Sequence, residues 1–161
     1  MKPKLLMVLL SVVFFGAYFF YTSYGFIFFV KDHQLINLTF KKSFFAPVQK
    51  EILVEIAKTP NSTTQGLSNR SELISLSGQK IDGLLFIFPR KEIRRFWMKE
   101  MLFNLDICWF NDLTFLSCQR MALADDQTKI YSSPKPANLV LETQPGFLND
   151  TDLNLKLFFK W

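Results

Sequence analysis

The sequence predicts a mainly β (α+β) chain: a compact small β-barrel, closed or nearly closed, with one or two short helices, preceded by a single N-terminal transmembrane helix. Three observations predict it. Short apolar or alternating runs of strand length recur from residue 35 onward, between breaks at Pro, Gly, Asn and Asp. The signature of a helix opening stands at Thr59-Pro60. Leu5 to Val30 contain no Asp, Glu, Lys, Arg or His.

Residues 1–30 read as an anchor or signal. A helix over Leu5–Val30 would reach about 39 Å at about 1.5 Å per residue, more than the roughly 30 Å hydrocarbon layer. Lys2 and Lys4 also suit a secretory signal, but its apolar region should run about 7–15 residues to a small-x-small site, and here bulky aromatics continue to Val30. The expectation is a single-pass membrane protein, with the bilayer as partner through residues 5–30 and the C-terminal domain extracytoplasmic. A secreted or periplasmic form after signal cleavage is the alternative. Lys2 and Lys4 supply two of the net +5 charges, leaving +3 on the remainder. That balance suits an anionic envelope ligand and equally an ordinary soluble surface.

Residues 31–50 mix cations, Phe and one Pro, and read as a membrane-proximal linker in which Leu35–Phe40 offers one strand. Residues 51–161 form the β-rich domain. Glu51–Ala57 alternates as a strand. Thr59-Pro60 then caps a short helix that Gly66 closes, and Leu67–Asp82 is a Ser- and Gly-rich loop. Gly83–Phe88 is a continuous apolar run, a strand buried on both faces and ended by Pro89, with Arg90–Ile93 as a polar turn. Arg95–Met101 alternates so that Phe96 and Met98 point inward and Trp97 stands beside Lys99 on the outer face. Leu105–Phe110 and Leu113–Met121 form a hairpin about Asn111-Asp112, Ala122–Ser133 is a polar loop, and Ala137–Glu142 and Leu153–Trp161 are the last strands. A two-residue turn at Asn111-Asp112 sets Cys108 opposite Phe115 and Leu105 opposite Cys118. The two thiols then lie on opposite faces and are expected to be unpaired.

His33 is the only histidine, and it falls in the linker, close to the headgroups. The domain therefore has no Ser-His-Asp or Cys-His system and no imidazole metal site, so neither metal nor cofactor is expected. Asp106, in an apolar strand, needs a partner, for which Arg70, Arg95 and Lys99 are candidates. Arg70 reads as a bidentate clamp, and Glu142 closes its own strand as Asp106 interrupts its own.

The order TPNSTTQGLSNR, GLLFIFP, FWMK, LD, then IYSSPKPANLVLE with PGF resembles the family called domain of unknown function number 192, over roughly Glu51 to Phe147. The resemblance implies a small β-rich domain, in many members exported or anchored, whose biochemical role is unestablished. It marks Gly66, Leu67, Arg70, Phe86, Phe88, Pro89, Phe96, Trp97, Met98, Lys99, Leu105, Asp106, Tyr131, Pro136, Val140, Leu141, Glu142 and Gly146. The chain departs from the pattern at Glu100 and Met101, where the family resembles Asn-Thr.

Two functional classes follow. One is a binding or accessory module for an envelope ligand or a membrane protein partner, with Arg70, Trp97, Lys99, Asp106 and Glu142 at the site. An aromatic beside a cation suits a carbohydrate, an anionic polymer or a peptide carboxylate. The other is a hydrolase or transferase using Asp106 and Glu142 as acid and base, which requires the two carboxyls in one pocket. Arg90, Lys91, Arg94, Arg95 and Lys99 could serve nucleic acid, a partner that an exported domain seldom meets.

Overall fold

In a computed structural model the described residues are 7, 13, 14, 16, 29–149, 152 and 154–160. The chain divides into two units, Met1–Val30 and Lys31–Trp161. The expected membrane span, residues 5–30, lies outside the described residues apart from isolated positions. Among the described residues no helix is long and apolar enough to cross a membrane.

The second unit holds nine described strands and one helix: β1 (Leu35–Lys41), β2 (Lys50–Ala57), α1 (Pro60–Gln65), β3 (Gly83–Glu92), β4 (Arg95–Trp97), β5 (Leu105–Asn111), β6 (Thr114–Ala122), β7 (Ile130–Ser132), β8 (Ala137–Thr143) and β9 (Lys156–Lys160). Seven strands pair in the order β6-β5-β8-β3-β2-β1-β9, and β4 pairs with β7 in a separate ribbon. The long sheet curls into a half-barrel. The turn between β5 and β6 touches the far edge strand β9, where the Leu157 amide donates to the Leu113 carbonyl at 3.1 Å.

All neighbours are antiparallel except β2 and β3. A parallel pair needs a crossover, and α1 with the following loop supplies it. The helix starts where the sequence places it. The Thr59 side chain accepts from the Ser62 amide at 3.3 Å, and Pro60 fills the first helical position. Asp32 braces this cap, accepting from the Lys58 amide, the Thr59 hydroxyl and the Ser62 hydroxyl, each at 2.7 Å. Burial works to raise the Asp32 carboxyl, but these bonds outweigh it and hold it down at about 2.

Strand register assigns the faces. Glu55, Leu84, Glu142 and Ile107 are successive Cα partners across β2, β3, β8 and β5. The next row is Val54, Gly83, Thr143 and Asp106, whose side chains point the other way because the strand period is two. On the Glu142 side, Phe86, Trp109 and Val140 pack with Leu67, Leu73, Met98 and Tyr131 from the crossover loop and the ribbon. On the other, Leu38, Phe40, Ile52, Leu85, Phe110 and Leu141 are fully buried. Gly83 lies where β3 and β8 crowd together: a Cβ there would stand 2.5 Å from the Glu142 carbonyl oxygen.

Four expectations need correction. β3 runs through Pro89 to Glu92 instead of ending at Phe88; its pairing with β8 is interrupted between Ile87 and Glu92, so Pro89 sits where no ladder amide is required. β4 stops at Trp97, and the expected loop 122–133 contains β7, which pairs with β4. His33 is part of the domain, its Nδ1 lying 2.8 Å from Glu55 Oε1. Finally, Cys108 and Cys118 form a disulfide. The turn is centred on Asp112-Leu113, one residue later than expected, and an irregularity between Trp109 and Phe110 adds another step, so the two cysteines become direct partners.

Candidate functional site

Three buried carboxyls on the sheet define the chemistry. Glu55, on β2, is completely buried and is held by Arg70, whose Nη1 donates to Oε2 at 2.6 Å and Nη2 to Oε1 at 3.2 Å. Arg70 Nη1 also ties the Ile74 carbonyl at 2.7 Å. Burial pushes the Glu55 carboxyl up, yet the bonds and charges of Arg70 and His33 bring it below the ordinary range. The clamp read for Arg70 is therefore present. Its partner Glu55 was missed, although it stands on the core face of an alternating strand beside Leu53 and Ala57.

Asp106 is 1% exposed, and its partner is Arg120 at 2.7 Å, in place of Arg70, Arg95 or Lys99. The amides of Met121 and Gly146 complete its bonding at 2.8 and 2.9 Å. Asp106 thus ties β5 to β6 and to the turn after β8. It borders a groove of about 380 Å³ with Pro145, Leu148 and Asn149. Because Asp106 pairs with Thr143 while Glu142 pairs with Ile107, the two acids project from opposite faces. They are not an acid and base facing one pocket.

Glu142 is 5% exposed, and among the described residues no cation or hydrogen-bond donor reaches its carboxyl. Burial pushes the group up to about 8, with the Arg70 charge pulling weakly the other way. At neutral pH it is a protonated acid, able to donate one hydrogen bond and accept others. It lines a cleft of about 30 Å³ walled by Phe86, Phe96, Trp97 and Met101, and by residues 63–68 at the end of α1. The aromatic wall is ordered edge to face, with the Phe86 and Phe96 ring centroids 5.0 Å apart.

The cleft opens beside a wider groove of about 430 Å³ between Thr63-Thr64 and the segment Phe88 to Trp97. Trp97 is 54% exposed there, and Lys99 Nζ lies 5.7 Å from the centre of its ring, as the alternation predicts. Arg94 stacks at 3.9 Å over Phe88 and donates to the Ala137 carbonyl. Of the residues proposed from sequence, the fold brings Trp97 and Glu142 to one cleft, with Lys99 over the Trp97 ring. Arg70 shares the sheet face, and Asp106 is elsewhere. Among the described residues no group of three or more His, Cys, Asp or Glu could hold a metal ion.

The model of the uncharacterised conserved family DUF192 matches residues 44–156. The chain belongs to the DUF192 family. Two solved structures share the fold. One, from Sinorhizobium meliloti 1021 and provisionally described as a transcription regulator, has a TM-score of 0.65 and 21% identity, covering 81% of this chain and 97% of its own. The other, a protein of unknown function from Novosphingobium aromaticivorans DSM 12444, has a TM-score of 0.61 and 21% identity, covering 80% and 86%. No curated protein matches this DUF192 chain at a significant level. Of the positions marked by the family resemblance, Gly66, Leu67, Phe86, Phe96, Trp97 and Glu142 line the same cleft.

Proposed function

We propose that this DUF192 domain is a binding module of the cell envelope, anchored through residues 5–30 with the domain extracytoplasmic, and that its ligand enters the cleft between Trp97 and Glu142. One observation carries the reading. Among the described residues no cation or hydrogen-bond donor reaches the buried Glu142 carboxyl, which lines an aromatic-walled cleft. A group whose charge state is shifted by desolvation inside a cleft is a candidate site residue on physical grounds. The rim, where Trp97 and Lys99 stand together, suits a ligand that offers an apolar or sugar face and an acidic group. The Cys108–Cys118 bridge favours an oxidising compartment and so supports placement outside the cytoplasm.

The hydrolase or transferase alternative loses its pair, since Asp106 is sealed against Arg120 on the opposite face. The test is thermal stabilisation of the full-length chain across envelope glycans, anionic lipids and peptides, with Trp97→Ala alongside. A ligand at 100 times its Kd adds about 2.7 kcal/mol. The reading predicts that one ligand class raises the wild-type Tm and that folded Trp97→Ala loses the response. Equal responses from the two proteins would place the ligand elsewhere.

A further inference from the structure

Across the described fold, buried acids are matched with cations. Glu55 has Arg70, Asp106 has Arg120 and Asp152 has Lys50 at 3.1 Å. Glu142 alone among the described buried acids has none in reach. An ionised carboxylate in an apolar site is costly without a partner, so a lone acid with an opening above it is a seat for a cation from outside.

We infer that the Glu142 cleft seats the primary ammonium group of a small ligand, while Arg95 in the adjoining groove and Lys99 over Trp97 take an acidic group of the same molecule. The inference rests on the binding-module reading and names its ligand chemistry. Hydrogen bonding selects the primary ammonium: its N–H groups can donate to the Glu142 carboxylate in the cleft, which a trimethylated head cannot do. The walls suit the charge, because Phe86, Phe96 and Trp97 line the cleft and aromatic rings are favourable neighbours for a cation. The last turn of α1 lines the cleft too, and helical carbonyls at a C-terminus lack intrahelical donors.

The charges around Glu142 leave this role open. Its sheet neighbours Leu84 and Ile107 are apolar, and α1 carries no charged side chain. The Arg70 guanidinium acts on Glu142 from a distance and is engaged by Glu55. The neighbouring cations Arg95 and Lys99 belong to the ribbon side of the cleft, Arg95 in the adjoining groove and Lys99 over Trp97. When the ammonium enters, the carboxyl gives its proton to solvent and an ion pair forms, so near neutral pH binding releases one proton and weakens as the pH falls.

The test is isothermal titration of the full-length chain with O-phosphoethanolamine, phosphocholine and inorganic phosphate, in two buffers of different ionisation heat. Dihexanoyl phosphatidylethanolamine below its micelle concentration serves as a headgroup arm. The expected result is that an amine probe binds about tenfold or more tightly than phosphocholine and phosphate, releases a proton, and loses about tenfold or more in Glu142→Gln. Whichever amine probe binds more tightly separates a free ligand from a lipid headgroup. The inference is overturned if phosphocholine or phosphate matches the amines, if folded Glu142→Gln binds as wild type does, or if neither amine binds. In each of those cases the wider panel and Trp97→Ala still judge the binding-module reading on their own.

Discussion

Replacing Glu142 by Gln should make the protein more stable, increasingly so as the pH rises. Gln keeps the shape and neutral polarity of the protonated acid but cannot ionise. The wild-type carboxyl goes from an ordinary value of 4.5 to about 8 on folding. A raised acid favours the native state below the unfolded value, and that advantage is lost as the pH climbs through the folded one. Between those limits the unfolded chain is ionised and the native chain protonated, so each pH unit costs the wild type about 1.4 kcal/mol. From pH 4.5 to 7 the cost reaches about 3 kcal/mol, and above pH 8 it levels near about 5 kcal/mol. Urea denaturation of both proteins at pH 5, 7 and 9 reads the difference, and the remaining titrating groups cancel in it. Near parity at pH 5 and an advantage of about 3 kcal/mol for Glu142→Gln at pH 7 are expected. A difference that stays flat from pH 5 to 9 would refute the reasoning, because Glu142 would then ionise normally in the folded chain.

Three further experiments probe the frame around the cleft. Arg70→Ala leaves the completely buried Glu55 carboxylate with only His33 and the Leu76 amide and should cost about 3 kcal/mol in chemical denaturation, whereas Glu55→Gln with Arg70→Ala should recover part of it. Cys108→Ser with Cys118→Ser opens a loop with a sequence separation of 10 and should lower stability by about 2–3 kcal/mol; wild type in excess reductant should show the same loss. Glu100 has φ of 59°, where a long side chain is strained, so Glu100→Asn should raise stability by about 0.5–1 kcal/mol unless the Asn69 bond to the Glu100 carboxylate, at 3.1 Å, is worth as much. A Tm below wild type would show that the bond wins.

The elements of the domain were legible where local signals are strong. Thr59-Pro60 and Gly66 frame α1 as the sequence says, and the apolar runs of β3, β5 and β8 are strands. The Trp97 and Lys99 alternation survives even though β4 is only three residues long, because Phe96 and Met98 supply the apolar anchors that fix the faces. What failed was non-local. β7 offers just Ile130-Tyr131-Ser132 in a polar segment, and it becomes a strand because β4 is there to pair with it. The Cys108–Cys118 bridge depends on a turn displaced by one residue and an irregular step in the ladder, neither of which composition reveals.

The same limit divided the site. In ANLVLE both faces of the strand are apolar apart from its ends, so nothing local says which way Glu142 points. Only the register Ile107 with Glu142 and Asp106 with Thr143 separates the two acids. Arg120, which claims Asp106, lies on the neighbouring strand of the hairpin, and reading it as a partner requires the same register.

Ligand entry between Trp97 and Glu142 is tested most directly by amide chemical-shift mapping of the full-length chain with the panel ligand that stabilises it most. The shifted residues are expected to gather at Thr63 to Ser68, at Phe96 to Lys99 and at Glu142. Shifts gathered instead at Asp106, Arg120 and Gly146, in the groove on the other face, would contradict it.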